Sequence, residues 1–182
     1  MSFANLVQIL LIFLPAFIAN AIPVVAKNIP FISTFSRPIH ATLFGKNKTI
    51  RGILAGIWAG MIMGGVCFWF KGIALSFMPE YSDYYNLYSG WFASFFIGWW
   101  LGLGALTGDL VKSFFKRRLG IKPWVMFQPW DGIDYMVGAI IFLLPWYFPG
   151  IMGCLFLLII WPILSLITNT IAYYIGWKEC WY

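Results

Sequence analysis

Five apolar stretches separated by polar ones set the outline of the chain. They cover roughly residues 3–26, 52–70, 90–107, 133–148 and 151–176. An α-helix needs about 20 apolar residues to cross the hydrocarbon layer of a bilayer. The pattern therefore predicts an all-α integral membrane protein, a bundle of about five transmembrane helices, the fourth of them short. Pro15, Asn20 and Pro23 interrupt the first stretch. Prolines are tolerated in membrane helices where neighbours re-satisfy the freed backbone groups. A kink is the expectation there, and a substrate-lining break the alternative. Gly52, Gly56, Gly60 and Gly64 recur every fourth residue in the second stretch, and Gly98 and Gly102 repeat the spacing in the third. Such a face is flat enough for another helix of the same chain to pack closely. Asn169, near the end of the fifth stretch, is an intramembrane amide and is expected to face the bundle interior.

Composition agrees with a bilayer environment. The chain is 62% hydrophobic and 10% charged, whereas soluble domains carry about 25% charged residues. One membrane-embedded domain, residues 1–182, accounts for the length. The net charge of +6 does not make this a nucleic-acid binder, because the cations follow topology. Five Lys/Arg lie in 27–51, five in 108–134 and one, Lys178, in the tail; Lys71 alone falls on the other side. With five crossings those three regions share a face. The excess of positive charge makes that face cytoplasmic, with the N-terminus outside and the C-terminus inside. Ala19-Asn20-Ala21 looks like a signal-peptide cleavage site, but no positive charge precedes Lys27 and the apolar run is long. The stretch is read as a retained helix. Cys67, Cys154 and Cys180 form no Cys-x-x-Cys pair, and His40 is the single histidine. These exclude a disulfide framework, a zinc site and a histidine-based metal site. Nothing in the sequence sets an oligomeric state.

Two polar stretches carry the chemistry. The loop 27–51 has no acid and ends in Phe44-Gly45-Lys46-Asn47-Lys48-Thr49-Ile50-Arg51, which runs directly into an apolar helix. Free N–H groups at that helix start favour an anion. The spacing is not that of a Walker loop, and a positively charged membrane-anchoring loop is the plain alternative. The stretch 108–134 holds three of the six acids. Read as a helix, it sets Asp109, Lys112, Ser113, Lys116 and Arg117 on one face, with Asp131 and Asp134 following at i and i+3. Carboxylates of this kind suit Mg²⁺, which pairs one or two of them with substrate phosphates. Asp109, Asp131 and Asp134 are the metal candidates. Lys46, Lys48, Arg51, Lys112, Lys116 and Arg117 are the phosphate candidates. The plain alternatives are that Asp131 caps a helix and that Lys116, Arg117 and Arg118 bind lipid headgroups. No serine or cysteine is matched with a base, so phosphoryl or nucleotidyl transfer without a covalent intermediate is the expected chemistry.

At these residues the chain resembles the CDP-archaeol synthase family, which is related to phosphatidate cytidylyltransferases. The resemblance lies in Gly108-Asp109-Leu110, Ser113, Lys116-Arg117, Lys122 and Asp131-Gly132-Ile133-Asp134. It extends to Gly45-Lys46-Asn47-Lys48-Thr49 with Arg51-Gly52, and to Thr168-Asn169 with Ile171-Ala172-Tyr173. Trp124-Val125 and Gly132 depart from the family pattern and leave the aspartates intact. The resemblance implies an enzyme whose cofactor is Mg²⁺ and whose partners are CTP, a lipid phosphate and the bilayer. The family's lipid is 2,3-bis-O-geranylgeranylglycerol 1-phosphate, and the product is a CDP-activated lipid for phospholipid biosynthesis. It implies catalytic roles for Asp109, Lys112, Lys116 and Arg117. Binding of substrate phosphates would fall to Lys46, Asn47, Lys48, Thr49, Arg51, Ser113 and Lys122. The site would face the cytoplasm from the cell membrane. A membrane lipid kinase, using the same residue types with ATP, is the alternative enzyme. A transporter or a non-catalytic scaffold is the alternative without chemistry.

Overall fold

A computed structural model describes residues 2–26, 36–77, 82–121 and 130–176. They form six helices: α1 (Phe3–Ala26), α2 (Ile50–Phe77), α3 (Ser82–Leu87), α4 (Trp91–Arg118), α5 (Trp130–Leu143) and α6 (Gly150–Tyr174). The protein is an all-α membrane protein. Among the described residues four helices, α1, α2, α4 and α6, are long and apolar enough to cross a bilayer.

The fifth helix, expected to be short, runs back along α4 from Gly108 beside Asp134 to Phe96 beside Trp146. Helix α5 has 14 residues, about 21 Å at 1.5 Å per residue, short of the ~30 Å hydrocarbon layer. It begins three residues earlier than the apolar pattern suggests, so Asp131 and Asp134 lie in its first turns. It stops at Leu143, just ahead of Leu144-Pro145, because the residue before a proline is disfavoured in helical conformation. The boundary drawn near residue 107 also disappears. Helix α4 runs unbroken for 28 residues, about 42 Å, so its charged last turns extend past an apolar layer that its first part already spans. The expected loop 71–89 is shorter too, since α2 continues to Phe77 and α3 follows. Lys71 therefore sits on a helix, 4.3 Å from the Phe68 ring centroid and 5.1 Å from that of Tyr85, with its ammonium 2.8 Å from the Ser89 carbonyl.

Within a bilayer, helices associate by close packing rather than by expelling water, and glycine sets how close they come. A Cβ on Gly64 would stand 2.2 Å from the Ser94 carbonyl oxygen, and one on Gly98 would stand 2.3 Å from that of Gly60. The glycine face read from the sequence is thus the α2–α4 contact inside one chain. A second seam, not singled out in the sequence, joins α4 to α5. A Cβ on Gly138 would meet the Gly104 carbonyl oxygen at 2.2 Å, and one on Gly108 that of Asp134 at 2.2 Å. Three buried tyrosines tie further helices together by donating to backbone carbonyls: Tyr88 to Ile12 and Tyr84 to Cys67, both at 2.9 Å, and Tyr135 to Trp161 at 3.3 Å. Each buried hydroxyl thereby keeps a partner where no water competes.

Candidate active site

The site lies where the last turns of α4, the first turns of α5 and the segment before α2 meet. That segment is folded on itself. Pro38 and Thr49 form an antiparallel bridge, with Ile39 N–H donating to the Lys48 carbonyl at 2.9 Å and Ile50 N–H to that of Arg37 at 3.1 Å. Between them a helical turn donates from Phe44 N–H to the His40 carbonyl at 3.0 Å. Gly45 closes the turn at φ +91°, a left-handed conformation that glycine adopts without steric cost.

This folding presents Lys48 to α4, where its ammonium donates to Asp109 Oδ2. Lys46 and Asn47 are exposed at the tip, and Arg51 is half-buried on the first turn of α2. Thr49 is a helix cap: its hydroxyl accepts from Gly52 N–H at 3.2 Å and its carbonyl from Ile53 N–H at 3.2 Å. The amides of Ile50, Gly52 and Ile53 are thus already bonded within the protein. The amides open to an anion at the start of α2 are thereby fewer than expected, and Thr49 is held by its cap bond.

On α4, Asp109, Lys112 and Lys116 converge as their spacing predicts. Lys112 is the centre. Its ammonium lies 3.3 Å from Asp109 Oδ1, 3.1 Å from Asp131 Oδ1 and 2.9 Å from Asp134 Oδ2. Lys116, itself buried, reaches both oxygens of Asp131 at 3.1 and 3.3 Å. Asp131 is therefore held by two lysines. Asp134 is the most enclosed of the three, its side chain 6% exposed. Ser113 is buried on the same face.

Arg117 leaves this group. Its guanidinium donates to the Ile121 carbonyl, and its Nε is buried without a hydrogen-bond partner among the described residues. A Cβ on Gly45 would stand 3.3 Å from that Nε, so the bare glycine leaves room for the arginine. Arg117 thus stands apart from the lysine–carboxylate cluster and packs between the loop and α4. Lys122 lies outside the described residues.

As they stand, no three Asp, Glu, His or Cys among the described residues are arranged around a metal position, because the Lys112 ammonium lies among the three carboxylates. The donor set is nonetheless all hard oxygen, which fits Mg²⁺ and not a soft metal. The glycines that bring α5 onto α4 were the functional positions missed in the sequence. Their signal was present, since Gly104 and Gly108 share the four-residue spacing of Gly98 and Gly102.

Comparison with known proteins decides the class. Residues 3–182 match the family model of CarS-like CDP-archaeol synthases. The chain belongs to this family. It is 33% identical to a CDP-archaeol synthase of Methanosarcina mazei, over 91% of this chain and 98% of that one. It is 31% identical to a CDP-archaeol synthase of Pyrococcus furiosus, over 91% of this chain and 92% of that one. A solved structure of an intramembrane enzyme for archaeal membrane lipid biosynthesis superposes with a TM-score of 0.64. That match has 30% identity and covers 88% of this chain and 91% of the other. The protein is thus an enzyme, a membrane cytidylyltransferase of the CDP-archaeol synthase kind.

Proposed function

We propose that the protein joins CTP to 2,3-bis-O-geranylgeranylglycerol 1-phosphate with Mg²⁺, releasing pyrophosphate, at the cytoplasmic face of the cell membrane. One observation carries the reading: three carboxylates and three lysines interlock at the polar end of a membrane-crossing helix. The relatives named CDP-archaeol synthases support the choice of lipid. The division of Lys/Arg between the two faces supports the orientation.

The reaction needs an acceptor phosphate, a nucleotide and stabilised charge. An oxygen of the lipid phosphate attacks the α-phosphorus of CTP. The bond from that phosphorus to the bridging oxygen breaks, and its electron pair leaves with pyrophosphate. No side chain is cytidylylated, in keeping with the lack of a serine or cysteine paired with a base among the described residues. Lys48, Lys112 and Lys116 offer three ammonium groups to the charge on the leaving diphosphate, the kind of pre-placed stabilisation that lowers such barriers most. Lys46, Asn47 and Arg51, on the open side of the loop, meet the nucleotide as it arrives. Asp109, Asp131 and Asp134 would hold Mg²⁺, which when bound supplies Lewis-acid polarisation of phosphate oxygens. Arg117 and Thr49 keep the loop in register with α4.

Membrane vesicles test substrate and sidedness together. Inside-out vesicles given CTP, Mg²⁺ and the unsaturated ether-lipid phosphate are expected to form CDP-lipid, detected by mass spectrometry. Right-side-out vesicles should form none. Product only from the outer side would overturn the orientation, and preference for an ester-lipid phosphate would overturn the lipid assignment.

A further inference from the structure

Among the described residues three acids and three lysines make a site of balanced charge, and Lys112 is the one cation there that touches all three acids. Its ammonium is within 3.3 Å of an oxygen on each of Asp109, Asp131 and Asp134. Lys48 touches Asp109 and Lys116 touches Asp131. A divalent ion taking those oxygens meets an ammonium already on them, and two cations a few ångströms apart in a poorly solvated site repel strongly. We propose that Lys112 is the resident counter-cation of the metal carboxylates: it competes with the metal for the same oxygens and moves to the triphosphate when metal and nucleotide enter together. This rests on the metal-dependent reading above and adds an order to it.

The physical reasons are three. Lysine carries a compact charge on a flexible four-carbon stem, so it changes partner by rotation about its own bonds. The ammonium loses little by the exchange, because phosphate oxygens replace carboxylate oxygens and the pairing stays charge-assisted. The carboxylates, balanced by lysines, have little surplus charge to attract a free divalent ion, whereas a metal–nucleotide complex brings both the replacement cation and the new anion. Metal and CTP are therefore coupled, each raising the affinity of the other.

The test is metal binding, read without turnover. Mn²⁺, another ion for hard oxygen sites, is titrated into purified protein in detergent and followed by electron paramagnetic resonance. The wild-type protein is expected to bind Mn²⁺ weakly alone and more tightly with CTP. Lys112→Met should bind Mn²⁺ alone at least about tenfold more tightly, the smallest effect an adjacent charge has on the proton affinity of a carboxylate. CTP should then add little. Lys112→Arg keeps the charge and should stay close to wild type. Lys48→Met, a change on the loop rather than on α4, should tighten binding in the same direction and serves if Lys112→Met does not fold. Unchanged or weaker Mn²⁺ binding in the folded methionine variants overturns the proposal. If CDP-lipid forms normally while those variants bind no tighter, this inference alone falls. If they bind more tightly but no protein forms CDP-lipid, the inference stands and the function reading falls.

Discussion

Replacing Asp134 with asparagine is expected to lower turnover by about 10²-fold or more, the usual cost of losing one charge-organising group at a transfer site. The substitution keeps the shape of the side chain and removes its charge. Asp134 is the most enclosed of the three carboxylates and lies 2.9 Å from the Lys112 ammonium. Asp109→Asn and Asp131→Asn are expected to behave alike, because each acid touches two lysines: Asp109 touches Lys48 and Lys112, and Asp131 touches Lys112 and Lys116. Helical content and elution in detergent should be retained, since Lys112 keeps two of its three partners in every single variant. Turnover measured across a Mg²⁺ titration checks the prediction. Near-normal activity in any one variant would remove that residue from the metal set.

Gly108→Ala should cost nearly as much without touching a charged group. A Cβ there would lie 2.2 Å from the Asp134 carbonyl oxygen and 3.2 Å from the Gly138 Cα. Both neighbours are backbone, so relief requires α5 to move away from α4. That movement carries Asp131 and Asp134 away from Lys112 and Lys116. Misplacing reacting groups by about 1 Å costs on the order of 10²-fold, and kcat is expected to fall by that amount. Alanine is the better helix former by about 1 kcal/mol, which offsets part of the cost of overpacking, about 1–3 kcal/mol; helical content and elution are measured beside kcat. Gly72→Ala is the control, since a Cβ there meets nothing within 4 Å, and it should leave kcat unchanged. Full activity in Gly108→Ala would show that the α4–α5 approach does not set the carboxylates.

How far the sequence reached depends on the kind of information each feature carries. Hydrophobic runs gave the first helix to the residue, because a long apolar segment in a bilayer must satisfy its own backbone groups. Periodicity also placed Asp109, Lys112 and Lys116 on one face, and they do meet. The same periodicity put Arg117 on that face, but its guanidinium ends away from the carboxylates, at the Ile121 carbonyl. A helix face sets where a side chain starts, whereas a long arginine ends where space allows, and the space beside Gly45 decided it. Thr49 was legible as part of a polar loop at a helix start; the cap it makes depends on the turn at 40–45, which pattern alone does not reveal. The α4–α5 seam was written in Gly104, Gly108 and Gly138, but spacing does not say which helix a glycine faces. The short α5 was legible as an apolar run from residue 133, while its start at Trp130 places Asp131 on the helix together with Asp134, where Gly132 meets Pro162 of α6, whose Cβ is 2.9 Å from where a Cβ on Gly132 would stand.

The fate of label in CTP tests the central claim most directly. Purified protein with Mg²⁺ and lipid phosphate is given CTP labelled with ³²P at either the α or the γ position. Attack at the α-phosphorus moves the nucleotide's own phosphate into the product. The α label is therefore expected in the lipid fraction and the γ label in pyrophosphate, in equal molar amounts. Appearance of the γ label in lipid, with the α label left in CDP, would mean phosphoryl transfer and contradict the account.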